Sequence, residues 1–357
     1  EATSRFKLLR DHCDLKARNL LNGASVGTLT DGDLPLTKRL AILREELLTF
    51  ARSSKQVEIT DFVAKVLLAF FQNPYFARET FFTMLLAGPP GVGKTTVGKN
   101  VARVFEVSGL FEGQFLERTK PDFIGQYLGQ TPHLTRKTLT SALEGILFID
   151  EAYSLCNLDE RGRVDTYGSE FASTLVDFMT RYTGMYCLIV AGYEKEMRTQ
   201  FLQANEGLSR RFPHQFLLHG FDSERLRRIT ESKTTHKVRP GCTDACDALD
   251  GEGKELLRKF FAKARRSPGT KRIVQHEGGS AENIAGFLAL QMQGRSASRF
   301  FKEKSGVLSE GSVLSAMEKV PTKAGKEDVR QALRMLVTQS ELSDAKEARK
   351  ALEALLV

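Results

Sequence analysis

The turn Gly88-Pro89-Pro90-Gly91-Val92-Gly93-Lys94-Thr95 limits what this chain can fold into more than any other segment. The apolar run Phe81–Ala87 feeds it, Gly-Pro-Pro-Gly stops that run, and a helical pattern leaves from Lys94. Short apolar runs return at Phe115–Leu116, Ile146–Ile149, Cys187–Ala191 and Phe216–Leu218, with helical patterns between them. Alternating strand and helix predicts an α/β layer built on a parallel sheet, buried on both faces.

The flanks read differently. Leu36, Leu40, Leu43 and Leu47 share one helical face, and a second helix is expected from Thr60 or Asp61 to Phe71, ended by Asn73-Pro74. After Phe221 no strand is expected. One helix is marked by Leu256, Leu257, Phe260 and Phe261, another by Ile284–Met292 and a third by Val329–Val337, with a Cys- and Asp-containing loop over roughly 234–250. The expected organisation is an N-terminal helical region (1–75), an α/β domain (76–221), a smaller helical domain (222–304) and a C-terminal helical extension (305–357). A length of 357 residues suits such a division.

Composition narrows the classes. At 41% hydrophobic and 27% charged the chain is an ordinary globular one, which excludes wholesale disorder. Its richest apolar window, Phe62–Phe71, is half the length of a bilayer span and carries Lys65, so no membrane helix is expected. The opening residues lack the apolar core of a secretory signal. Five scattered cysteines predict free thiols in a reducing compartment, a bacterial cytoplasm or an organelle matrix or stroma. Cys242 and Cys246 find no second pair at zinc-ligand spacing. The net charge of +8 is uneven: residues 222–357 hold 26 Lys and Arg against 19 Asp and Glu. Lys254, Arg258, Lys259, Lys263, Arg265, Arg266, Lys271 and Arg272 crowd one segment of it. That basic face suits an acidic protein or RNA phosphates, or simply solvent.

Two motifs carry chemistry. In the G-x-x-x-x-G-K-T loop, glycines let successive backbone N–H groups point at phosphate oxygens, and the helix N-terminus adds its positive dipole end. Lys94 reaches β- and γ-phosphates, the Thr95 hydroxyl ligates Mg²⁺, and Thr96 continues the binding loop. Downstream, Gly145-Ile146-Leu147-Phe148-Ile149 ends in Asp150 and Glu151. A buried strand seldom closes on two carboxylates unless their charge meets a cation. Asp150 is therefore expected to hold Mg²⁺ and Glu151 to polarise an attacking water.

With both motifs in place, the pieces LLAGPPGVGKTT, DFIGQYLGQT, ALEGILFIDEAYSL, YGSEFASTLVDFM, LIVAGY and NEGLSRRF resemble AAA+ ATPases of the CbbX/CfxQ/SpoVK type, the red-type rubisco activases among them. They span about 140 residues in the family's order. The resemblance implies a P-loop AAA+ fold, a five-stranded parallel sheet with a helical lid, to which the residues' own periodicity adds an N-terminal helical extension. It implies ATP and Mg²⁺ bound at a subunit boundary of a homo-oligomeric ring. Tyr127 and Leu128 match the substrate-gripping pore loop, and Arg211 matches the arginine that reaches a neighbour's γ-phosphate, with Arg210 beside it. Tyr193 is expected to pack rather than to act.

The lid departs from the pattern. Where the family shows Gly-Asn-Ala-Arg-x-aliphatic-Arg-Asn, this chain has Gly279-Ser280-Ala281-Glu282-Asn283-Ile284-Ala285-Gly286, so Glu282 and Ala285 replace both arginines. Arg272 or Arg295 is left to compensate. The resemblance therefore implies an ATPase that remodels a protein partner. The alternative is a low-turnover nucleotide-binding component, or assembly factor, of a larger protein or ribonucleoprotein complex.

Overall fold

The computed structural model describes residues 57–72, 80–111, 113–127, 129–238, 248–265, 274, 276, 278–303 and 323–339. They divide into two compact units. One runs to Leu218 apart from Pro89–Val92; the other joins Pro89–Val92 to the residues from His219 onward.

The first unit is the expected α/β layer. In chain order it contains α1 (Val57–Gln72), β1 (Phe82–Ala87), α2 (Lys94–Ser108), β2 (Phe115–Arg118), α3 (Gln130–Ser141), β3 (Ile146–Ile149), α4 (Thr166–Arg181), β4 (Cys187–Gly192), α5 (Glu206–Arg211) and β5 (His214–Leu217). The strands form one parallel sheet in the order β2-β3-β4-β1-β5. Every residue of β1, β3 and β4 is buried, as a sheet covered on both faces requires. Period-two alternation sends Leu85, Leu147, Ile149, Leu188 and Val190 into a core with Phe171, Leu175 and Phe178 of α4. Across the sheet α2 lies so close that a Cβ on Gly98 would stand 2.6 Å from Phe148 Cδ2.

Two element ends differ from expectation. Helix α1 begins at Val57, three residues before Thr60, and buries Ile59, Val63, Val66, Leu67 and Phe70 along one face. Strand β5 starts at His214 rather than Phe216, because His214 and Gln215 pair with Met84 and Leu85 of β1. The Phe62 ring of α1 packs on His214 and Phe216, with centroids 4.2 and 5.5 Å away. Burial there holds the His214 imidazole below its ordinary pKa. The helix expected around Leu36–Leu47 lies outside the described residues.

The second unit contains α6 (Ser223–Val238), α7 (Gly251–Ala264), α8 (Gly278–Glu303) and α9 (Lys326–Gln339). Sequence reading missed α6 and placed its last turn in a loop starting near 234. The reason is its buried face: Thr230 and Thr234 follow Leu226 there, and both return their hydroxyls to the i−4 carbonyls at 2.9 and 2.7 Å. Asp250 caps α7 through Gly253 N–H at 2.7 Å. Helix α9, expected in a separate extension, puts Val329, Ala332 and Leu333 into one core with Leu257, Phe260, Ile284 and Leu288. A bridge between Leu249 and Ala324 ties the starts of α7 and α9. Cys242, Cys246, Arg266, Lys271 and Arg272 fall outside the described residues.

Candidate functional site

The sheet order brings the two motifs together. Strand β1 ends at Ala87, paired with Gly192 of β4, and β3 on the far side of β4 ends at Ile149, paired with Val190. Gly88, Asp150 and Tyr193 therefore leave the same sheet edge, at the carboxyl ends of the strands, where open α/β sheets place their ligands.

Gly88 opens the loop, Pro89 and Pro90 follow, and Gly91 and Gly93 take φ of 74° and 84°, left-handed values that glycine adopts without strain. Val92 is buried, and Gly93 accepts the first helical hydrogen bond, from Val97 N–H at 2.8 Å. Lys94 folds back so that Nζ donates to the Gly88 carbonyl at 3.0 Å. Burial pushes its pKa down, while the Asp150 and Glu151 carboxylates act in the opposite sense. Thr95 and Thr96 follow in the first turn of α2; the Thr95 Oγ1 stands 3.5 Å from Asp150 Oδ2. Asp150 also accepts Glu151 N–H at 3.0 Å. Glu151 is exposed and holds a left-handed backbone, φ 48° and ψ 43°, unusual for a residue with a Cβ. Hydroxyl and carboxylate oxygens are the donors Mg²⁺ prefers, and these two converge beside the lysine, so the residues fit a magnesium nucleotide.

Two tyrosines join this edge. Tyr153 and Tyr193 stack with centroids 5.5 Å apart and planes 26° apart, and Lys94 Nζ lies 5.5 Å from the Tyr193 centroid. Tyr193 thus packs as expected, but against the site. Tyr153 was overlooked. The one signal for it was its place two residues after Glu151.

The remaining expected residues lie apart from this cluster in the chain. Tyr127 is 69% exposed in the loop before α3, and Gly129 in left-handed conformation starts that helix; Leu128 lies outside the described residues. Arg210 is exposed at the end of α5. Arg211 is tied to its own chain: Nη2 donates to Thr180 Oγ1 at 2.6 Å, Nη1 to the Gly207 carbonyl at 3.1 Å, and the guanidinium lies over the Phe81 ring. In the second unit Glu282 is exposed and 3.4 Å from Lys233 of α6, and Ala285 is fully buried. The basic face of α7 is partly neutralised: Arg258 and Lys259 pair with Glu255, and Lys254 pairs with Glu231.

A phosphate loop after β1 of a five-stranded parallel sheet, with an acidic pair at the end of β3 on the far side of β4, defines a P-loop ATPase. Residues 84–218 match the family model described as ATPase family associated with various cellular activities (AAA). Stage V sporulation protein K of Bacillus subtilis (strain 168) is 43% identical over 131 residues, 36% of this chain and 39% of that protein. The ESX-1 secretion system protein EccA1 of Mycobacterium tuberculosis (strain ATCC 25618 / H37Rv) is 37% identical over 147 residues, 41% of this chain and 25% of its own. The CfxQ homolog of Trieres chinensis is 34% identical over 184 residues, 51% of this chain and 62% of that protein. The matched part spans less than two thirds of each of these relatives. The chain carries a AAA ATPase domain, and that domain is of the CbbX/CfxQ/SpoVK type. No helix among the described residues is long and apolar enough to cross a membrane.

Proposed function

We propose that this protein hydrolyses ATP with Mg²⁺ and uses the energy to remodel a protein partner, working as a homo-oligomeric ring. The observation that carries the reading is the convergence of Lys94, Thr95, Asp150 and Glu151 on one sheet edge. Lys94 binds the β- and γ-phosphates, and ATP draws its ammonium off the Gly88 carbonyl that occupies it here. Backbone N–H groups of the loop from Gly88 to Thr96 surround the phosphate chain. Thr95 and Asp150 would hold Mg²⁺, which would supply positive charge against that developing on the phosphates. Glu151, exposed and next in the chain to Asp150, orients and polarises water. Tyr127 grips extended polypeptide through its exposed ring. The arginine pair closing α5 offers charge to a neighbouring subunit, with Arg210 the outward member and Arg211 the anchored one.

A second reading, a low-turnover nucleotide-binding component or assembly factor, rests on the lid. Glu282 spends its charge on Lys233, and Ala285 is buried where no arginine would fit without displacing its neighbours. The ion pairs on α7 leave less unpaired charge than its sequence count, so no nucleic-acid role is proposed for it.

Steady-state hydrolysis and ATP binding test both readings. Lys94→Ala removes a charge-assisted contact of about 2–3 kcal/mol and should weaken ATP binding roughly 30- to 150-fold. Glu151→Gln should keep ATP affinity and slow turnover on the order of 10²- to 10⁴-fold. Undiminished affinity in Lys94→Ala sinks the nucleotide site. Tight ATP binding by a parent that does not turn over selects the second reading.

A further inference from the structure

Lys94 meets a side chain that the phosphate motif does not contain. Its half-buried ammonium lies over the Tyr193 ring, 5.5 Å from the centroid, while Nζ donates to the Gly88 carbonyl at 3.0 Å. At that distance the negative face of an aromatic ring attracts a cation. The two contacts share one anchor. Gly88 N–H donates to the Gly192 carbonyl at 3.1 Å, so the residue that receives Lys94 is fastened to the residue before Tyr193.

The ring itself is held in place. Tyr193 leaves β4 with an extended backbone, φ −76° and ψ 142°, and its carbonyl accepts from Met197 N–H at 2.9 Å. Tyr153 stacks on its ring with planes 26° apart. Gly192 leaves this packing no room for a side chain, because a Cβ there would stand 2.6 Å from Met197 Sδ and 2.8 Å from Tyr153 Cδ1. A lysine stem is flexible and its ammonium is a point charge, so its surroundings decide where the charge rests. A carboxylate in the place of the ring would hold the ammonium but repel the phosphates it must meet. An aromatic face attracts the ammonium without carrying a net charge, and the full positive charge remains for an anion.

We propose that Tyr193 is a positioning residue for Lys94: its ring, backed by Tyr153, keeps the ammonium beside the phosphate loop, where the β- and γ-phosphates arrive. The assignment rests on the reading of Lys94 as the cation that binds those phosphates.

The test is equilibrium binding of the non-hydrolysable β,γ-imido analogue of ATP, with Mg²⁺, measured by calorimetry on the full chain. Tyr193→Leu removes the aromatic face and should weaken binding roughly three- to tenfold. Tyr193→Met, a flexible side chain without that face, should show the same loss and serves if the leucine variant does not fold. Tyr193→Phe restores the ring and should recover the parental affinity. In a Lys94→Ala background the Tyr193→Leu change should have no further effect, because the charge on which the ring acts is gone. Parental affinity in both Tyr193→Leu and Tyr193→Met, with weak binding by Lys94→Ala, overturns the role of Tyr193 alone. So does an equal loss from Tyr193→Leu with and without Lys94, which would show the ring shaping the site rather than placing the ammonium. Parental affinity in Lys94→Ala overturns the Lys94 assignment, and the role of Tyr193 with it.

Discussion

At the scale of single residues, the two arginines that close α5 show how neighbours in sequence part company in space. Arg211 directs its guanidinium inward, to Thr180 and Gly207, and its backbone carbonyl accepts from Thr83 of β1. Arg210 is exposed. Arg211→Ala should therefore cost stability, about 1.5–3 kcal/mol for hydrogen bonds made by a charged group, read as a lowered denaturation midpoint. Arg210→Ala should leave the midpoint alone and lower turnover only in the assembled protein. Mixing either variant with Glu151→Gln subunits separates the two roles: recovered activity marks the residue acting across a boundary. Motif alignment favoured Arg211, because a motif records order along the chain and not which way a side chain turns. For the same reason Lys94, Thr95 and Asp150 were legible in sequence and Tyr153 was not. The first three sit in a pattern with a known spacing, whereas Tyr153 gains its meaning from a stack with a residue forty positions away.

At the scale of elements, strands were read well because burial on both faces leaves an uninterrupted apolar run, as in Ile146–Ile149. Helix α6 was not, because threonines occupy its buried side. It also carries a network, shielded at Arg227 and Glu231, in which Arg227 bonds Glu224 and Glu231, Arg228 bonds Glu224, and Lys254 of α7 reaches Glu231. Hydrogen bonds from Arg227 and Arg228 hold the Glu224 carboxyl at about 2, well below its ordinary 4.5, and Arg258 of α7 adds to the positive surroundings. A carboxyl whose folded pKa is depressed stabilises the fold fully above its unfolded value and loses that contribution as pH falls through the folded one. The helical unit should thus lose stability between about pH 4.5 and about pH 2. Glu224→Gln should lower its denaturation midpoint at neutral pH and flatten that acid slope. Because the Glu224 side chain is 40% exposed, solvent screens the pair and the effect stays small. An unchanged slope in the variant would place the acid sensitivity elsewhere.

For the whole molecule, the proposed ring places Tyr127 where no isolated subunit can use it. Tyr127→Ala should bind ATP as the parent does and assemble to the same mass in ATP, yet lose most of its partner-stimulated turnover. A variant that is stimulated in full would make the exposed ring a bystander. The sheet itself has a further consequence, one for how the protein is made. Strand β1 carries the phosphate loop, but its sheet neighbours are β4 and β5, and Phe82 pairs with Cys187. During synthesis at ~5–20 residues per second, β1 waits roughly 5–20 s for its first partner to emerge. Its six residues, all but Thr83 apolar, stay unpaired throughout that interval. The phosphate loop therefore acquires its shape late, and a nascent chain halted before Cys187 would expose a bare strand edge suited to chaperone capture.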